Sequence, residues 1–291
     1  ASCGKKSSAN PEGEEPPKVD EAAQAAKAME HKGNEADNTP IPGLDLSALK
    51  DEDKVRFDKL ANTLASPCGD ARSLRKAASG EGDCKRAPFA ARFVVEMLKD
   101  GASDTDAREL YGLAYRNLDK KVGFKLGDDV PHTGPTDARV VLVEFFDYGC
   151  PACKQFKPLL EQLTETFPQD VCLYYKQFPL AGHPDSDEAA AAALAAHAQG
   201  KYAEMHALLF ENQYKHKMED LRAHAKAIGL DMAKFEADFK ASVPKVAADR
   251  AEGGSHVQGT PTIFLNGRVY EGPAAPKYLK LFVEEELAVN Q

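Results

Sequence analysis

Two cysteines set three positions apart, in Cys150-Pro151-Ala152-Cys153, are the residues of this chain best suited to covalent chemistry. A pair at this spacing can close and open as a disulfide, and a thiolate on one sulfur can attack a foreign disulfide. The same spacing can be half of a zinc site. No second C-x-x-C and no suitably spaced Cys/His pair follows, which argues against zinc. The residues just before the pair are Val140-Val141-Leu142-Val143-Glu144-Phe145-Phe146. This nearly continuous apolar run, rich in β-branched and aromatic residues, has the pattern of a strand buried on both faces. Asp147-Tyr148-Gly149 supplies a turn. From Cys150 onward, Phe156, Leu159, Leu160 and Leu163 recur at three- and four-residue spacing, so a helix is expected to start at or near Cys150. The free N–H groups and positive dipole end of a helix favour an anion at that place. Cys150 is therefore the expected nucleophile, and Cys153, one turn further on, the expected resolving thiol.

The other four of the six cysteines are Cys3, Cys68, Cys84 and Cys172. One assignment uses them all: Cys68 pairs with Cys84, Cys3 carries lipid, and Cys172 is a small buried hydrophobe within the strand pattern Val171-Cys172-Leu173-Tyr174-Tyr175. A structural disulfide at Cys68–Cys84 requires an oxidising compartment. Ala1-Ser2-Cys3-Gly4 resembles the end of a bacterial lipoprotein signal, so Cys3 is a candidate for lipidation and membrane anchoring.

The elements that must position this chemistry follow from the rest of the 291 residues. A net charge of -9 implies no general nucleic-acid binding. No run of eighteen apolar residues exists to span a membrane. Residues 1–43 are rich in Gly, Pro, Glu, Lys, Ser and Ala, with almost no large apolar side chains, and read as a disordered tether, transiently helical over 21–32 at most. Residues 44–122 read as a small all-α domain of four helices. The first carries Val55, Phe57, Leu60 and Leu64 after a cap at Ser47 or Asp51, and Pro67 ends it. The second covers 70–78. The third carries Phe89, Phe93, Val94, Met97 and Leu98 and stops at Gly101; the fourth is capped by Ser103 or Asp104. Residues 123–138 are a Gly/Pro/Asp-rich connector, 172–177 a second strand, and 187–252 almost wholly helical. Residues 259–270 read as strand, Asn266-Gly267 turn and strand, and 278–287 as a closing helix. Within that helix Glu284-Glu285-Glu286 reads as a solvated face, while His197, His206 and His224 read as surface or interface residues and His183 as a turn or capping residue.

The order strand, C-x-x-C helix, strand, helices, Thr-Pro, hairpin, helix is that of the thioredoxin fold with a helical insertion. Residues 127–291 resemble the DsbA-like thiol:disulfide oxidoreductases through Glu144-Phe145-Phe146, Cys150-Pro151-Ala152-Cys153, Phe178-Pro179-Leu180 and Gly259-Thr260-Pro261-Thr262. The resemblance implies an α/β thioredoxin-like domain over 127–291 with its insertion at about 184–255. It implies a cis-proline at Pro261 beside the active site, with the backbone at Thr260 pairing with an extended substrate. It places Glu144 where family members keep a proton acceptor for the resolving cysteine, a role that burial would suit by raising its pKa. Pro151 and Ala152 would face substrate and tune the potential. Neither can donate a hydrogen bond from its side chain to Cys150, so a less oxidising couple is expected than in members with a histidine there. No cofactor or metal is called for, because the cysteine pair carries the electrons. The implied partners are cysteine-containing exported proteins and an unidentified redox partner, in a bacterial periplasm or cell envelope. The direction of electron flow and the oligomeric state stay open. The segment 93–115 also resembles the helix–turn–helix of the cytochrome c maturation H proteins, but Ser66-Pro67-Cys68-Gly69 stands where those carry a redox C-x-x-C. The alternative to an enzyme is a non-catalytic thioredoxin-fold module that docks a partner such as an apocytochrome.

Overall fold

The computed structural model describes residues 18–33, 37–80 and 82–290. Cys3, and with it the proposed lipid site, lies outside them. Helices α1 (Lys18–Ala28), α2 (Asp51–Thr63), α3 (Leu74–Ala78), α4 (Ala87–Lys99) and α5 (Asp104–Tyr115) come first. Strand β1 (His132–Thr133) leads to β2 (Val140–Phe146), helix α6 (Pro151–Thr166) and β3 (Val171–Gln177). Helices α7 (Ser186–His197), α8 (Tyr202–Glu211), α9 (Met218–Ala227) and α10 (Met232–Gly253) are inserted before the hairpin β4 (Thr262–Leu265) and β5 (Arg268–Val269). Helix α11 (Pro276–Val289) closes the chain.

The sheet order is β1-β3-β2-β4-β5, with β2 parallel to β3 and the other pairs antiparallel. This is a thioredoxin-like mixed sheet with a helical insertion between β3 and β4. Strand β2 is central, and its register sets Glu144 opposite Tyr175 on β3 and Ile263 on β4. Both faces of β2 must therefore be covered, as its apolar run requires. Val143 and Phe145 pack with Cys172, Tyr174, Val257 and Phe264 on one face. Leu142 and Phe146 face the larger core, which includes Leu160 and Leu163 of α6 and Leu279 and Phe282 of α11. Asn266 (φ 48°) and Gly267 (φ 82°) turn the β4–β5 hairpin, as the Asn-Gly pair demands.

Several local expectations shift for physical reasons. Residues 18–28, assigned by composition to an unstructured tether, form a helix that packs on α5. Its alanines allow a close approach, and Ala25 and Met29 are buried. A Cβ at Gly112 would fall 2.3 Å from the Ala25 carbonyl carbon, so this crossing needs glycine. Helix α2 is preceded by Lys50 with no side-chain cap and ends at Thr63, well before Pro67. It buries Phe57, Leu60 and Ala61 and leaves Val55 69% exposed. Helix α3 starts only at Leu74 because the Asp70 carboxylate is bonded to Ser66 and Arg72 in the preceding loop, and Ser73 caps the helix. Ser103 caps α5 in a reciprocal pair with Asp106. Cys68 and Cys84 form a disulfide with an S–S distance of 2.00 Å. The connector contains β1, which pairs His132 with Tyr174.

The largest correction concerns 284–286. Glu285 and Glu286 are fully buried. Arg86 pairs with both, at 2.7 Å to Glu286, and Arg268 of β5 reaches Glu286 at 2.6 Å. The Tyr115 hydroxyl donates to Glu285 at 2.9 Å. Phe93 of α4 meets Tyr278 and Phe282 edge-on at 5.6 and 5.2 Å. The acidic run is thus the polar centre of the contact between the helices and the sheet-bearing part, because arginines 200 and 18 residues away converge on it. Breaking a buried ion pair on one side leaves an uncompensated charge. Arg86→Ala should cost about 3–5 kcal/mol in urea unfolding. Arg92→Ala, which removes the more exposed pair with Glu284, should cost under about 1 kcal/mol. Equal losses would contradict the structural role given to Glu285 and Glu286.

Candidate active site

Cys150 stands at the N-cap position of α6 in extended backbone, and Pro151 occupies the first turn, where its missing N–H costs nothing. The turn that presents it is held by hydrogen bonds of its own and by a side chain from the helical insertion. Cys150 N donates to the Asp147 carbonyl at 3.0 Å. Asp147 Oδ1 accepts from Gly149 N at 2.7 Å. Gln213, just past the end of α8, donates from Nε2 to the carbonyls of Tyr148 and Cys150 at 2.9 and 2.8 Å. Cys150 is 7% exposed and Cys153 0%, so only the first sulfur is open to a partner. The Thr260–Pro261 peptide is cis, and the Thr260 carbonyl lies 3.2 Å from Cys150 Sγ. A segment 110 residues away in sequence thus closes over the reactive sulfur. Pro151 and Ala152 are both exposed beside it.

The two cysteines differ sharply in electrostatics. A hydrogen bond from the Cys153 thiol, with those of the Cys153 and Ala152 backbone N–H groups, outweighs burial and pulls the Cys150 pKa down to about 5. Burial pushes the Cys153 thiol far up, reinforced by Cys150 and the Glu144 carboxylate, against one helpful contact from Asp147 N at 3.5 Å. Glu144, 3% exposed, lies on the α6 side of β2. Burial first, then Glu161 and Cys150, raise its pKa to about 8, while Lys157 opposes the rise. Lys157 itself pairs with Glu161 at 2.6 Å on α6. The site therefore sets a ready thiolate beside a buried thiol, with a carboxyl group beneath that exchanges a proton near neutrality. Such an arrangement can carry out thiol–disulfide exchange.

Two residues outside the sequence reading belong to this site. Gln213 gave no motif signal, because it sits 60 residues beyond the cysteines and acts only through its fold position. His183, read as a turn or capping residue, does sit in a turn, its N–H bonded to the Leu180 carbonyl at 3.0 Å, and its side chain also donates from Nδ1 to Asp147 Oδ2 at 2.5 Å. His206, read as a surface or interface residue, is buried. It shares a 2.9 Å hydrogen bond with the Tyr148 hydroxyl among Phe146, Tyr175, Tyr202 and Phe210. Burial, with Lys157 nearby, drops its pKa to about 3, so it is neutral packing. Cys68 and Cys84 lie in the helical region before the sheet and take no part in the site. Among the described residues, no group of three or more His, Cys, Asp or Glu side chains could hold a metal ion, and no helix is long and apolar enough to cross a membrane.

Residues 128–285 match the family described as Thioredoxin, and the chain belongs to that family. Among solved structures, BdbD from Bacillus subtilis is 26% identical with a TM-score of 0.50, covering 58% of this chain and 98% of that one. A thioredoxin-like oxidoreductase from Silicibacter pomeroyi is 32% identical with a TM-score of 0.48, covering 54% and 91%. A curated relative, the Na(+)/H(+) antiporter NhaA 1 of Mycobacterium sp. strain KMS, is 37% identical over 146 residues, which are 48% of this chain and 24% of that protein. The chain spans about a quarter of the length of the curated relatives it matches.

If Glu144 serves as the proton acceptor for Cys153, Glu144→Gln keeps the shape and removes the base. Stopped-flow kinetics should then show mixed-disulfide formation at Cys150 within about threefold of the unsubstituted protein, since that step needs only the thiolate. Decay through Cys153 should slow on the order of a hundredfold at pH 7. It should also lose the rise with pH that a group titrating at about 8 imposes. Decay with an unchanged pH profile would remove Glu144 from the mechanism.

Proposed function

We propose that this chain is a cell-envelope thiol:disulfide oxidoreductase that exchanges disulfides with cysteine-containing exported proteins through Cys150 and Cys153. The observation that carries the reading is Cys150 at the N-terminus of α6, its pKa drawn down to about 5, with the buried Cys153 behind it. In the oxidising direction, a substrate thiolate attacks Cys150 Sγ of the Cys150–Cys153 disulfide and expels the Cys153 thiolate, which takes a proton through Glu144. A second substrate thiolate then attacks its own mixed-disulfide sulfur and releases the Cys150 thiolate. The substrate leaves oxidised and the enzyme holds two more electrons. The reducing direction is the reverse sequence, in which Cys153 must lose its proton before it attacks. An extended substrate pairs with the backbone at Thr260, and Pro151, Ala152 and cis-Pro261 shape the surface around Cys150.

The remaining parts follow from this reading. A redox partner resets the cysteine pair after each cycle. The Cys68–Cys84 disulfide supports an oxidising compartment, and lipid on Cys3 would hold the protein at a membrane. Residues 44–122 form the unit that flanks the thioredoxin-like part at 127–291. The presence of both active-site cysteines with Thr260-Pro261 favours an enzyme over a docking module.

Cys150→Ser should abolish insulin reduction, because a hydroxyl cannot form the mixed disulfide. Cys153→Ser should instead accumulate substrates bound to Cys150, seen as reductant-sensitive adducts on non-reducing gels. Absence of adducts from the second variant, with residual activity in the first, would overturn the assignment.

A further inference from the structure

Asp147 is the most heavily used carboxylate at the site, yet the exchange steps above leave it without a role. Its side chain is wholly buried. Oδ1 accepts from Gly149 N at 2.7 Å, and Oδ2 accepts from Leu180 N at 2.8 Å and from His183 Nδ1 at 2.5 Å. Its backbone reaches both cysteines: the carbonyl accepts from Cys150 N at 3.0 Å, and the N–H points at Cys153 Sγ at 3.5 Å. His183 comes from the loop between β3 and α7 and lies against Gly149, the residue before the nucleophile. A Cβ on Gly149 would fall 2.7 Å from His183 Cβ and from Ser186 Oγ, so glycine is needed for the imidazole to come this close. The loop itself is anchored, by Phe178 N to the Phe146 carbonyl at 2.8 Å and by Arg250 to the Pro179 carbonyl at 2.9 Å. The His183 side chain is 27% exposed, whereas that of Asp147 is enclosed.

A buried carboxylate three residues from Cys150 works against a thiolate there, since like charges repel strongly where water is excluded. We propose that His183 is the positioning residue that offsets this charge: its imidazolium on Asp147 keeps the turn's hydrogen bonds and removes the field that would destabilise the Cys150 thiolate. The pair thereby sets how oxidising the Cys150–Cys153 couple is, because stabilising the thiolate stabilises the reduced protein. This rests on the oxidoreductase reading and supplies a tuning group in place of the histidine that Pro151-Ala152 lacks.

The test is the equilibrium of the Cys150–Cys153 disulfide with two glutathione thiols, which gives the dithiol and one oxidised glutathione. His183→Gln leaves the carboxylate uncompensated, and the constant for reduction of the protein should fall about tenfold, equal to a potential lower by about 30 mV. His183→Lys keeps a positive charge and should stay within about threefold of the unsubstituted protein. Both changes are at a partly exposed position, and thermal unfolding of each variant reports folding separately. An unchanged constant in His183→Gln, or an equal fall in both variants, would overturn the inference while leaving the oxidoreductase reading standing. Failure of the unsubstituted protein to equilibrate with glutathione would overturn that reading, and this one with it.

Discussion

The placement of one sulfur at a helix N-terminus is the constraint on which the rest of the structure depends. Cys150 can ionise chiefly because the Cys153 thiol donates to it, and in smaller part because the first turn of α6 points the Cys153 and Ala152 N–H groups toward the sulfur. That helix start must be fixed in space, and the fold supplies the fixing. Strand β2, buried on both faces, delivers the chain to the turn. Asp147 from within the turn and Gln213 from beyond α8 tie it down by hydrogen bonds. The inserted helices then bring the chain back so that the Thr260 carbonyl meets the same sulfur before β4 begins.

The division of labour between the two cysteines comes from burial acting unequally on chemically identical groups. Cys150 has hydrogen-bond donors aimed at it and some access to solvent; Cys153 is enclosed and faces a carboxyl group from below. Their pKa values move in opposite directions, the usual sign of assigned roles in an acid–base pair. Glu144 is the proposed third member. An ionisable group on the central strand of a sheet is expensive to bury, and it settles by holding a proton at neutral pH, with its pKa at about 8. The helical region does not contribute groups to this set. It packs on α11 through the buried Arg86–Glu285–Glu286 cluster and the Phe93 aromatic contacts, and so braces the helix beside α6.

Much of this was legible in the sequence where the signal is local. The apolar run before Cys150, the spacing after it, the Asn266-Gly267 turn and the Ser103 cap each specify their own geometry, and the structure places them accordingly. What escaped depends on partners distant in the chain. Glu285 and Glu286 look solvated until Arg86 and Arg268 arrive from other elements. His206 looks like a surface residue until the aromatic cluster of Tyr148, Tyr175 and Tyr202 closes around it. The helix at 18–28 has too few apolar side chains to be seen as ordered, because its packing uses alanines against Gly112 rather than large residues. Gln213 and His183 act on the active-site turn through side-chain hydrogen bonds that no periodicity or motif encodes.

The central claim is that Cys150 is a thiolate at neutral pH while Cys153 is not, and titration of thiolate ultraviolet absorbance in the reduced protein tests it most directly. The difference between the unsubstituted protein and Cys150→Ser isolates one sulfur and removes the signal of Cys172. The structure predicts a single transition in that difference with a midpoint at about 5, and no thiolate at neutral pH from Cys153 or Cys172 in Cys150→Ser itself, because burial raises both. A midpoint near the ordinary cysteine value of about 8.5 would contradict it, because the helix terminus would then not be activating the sulfur it presents.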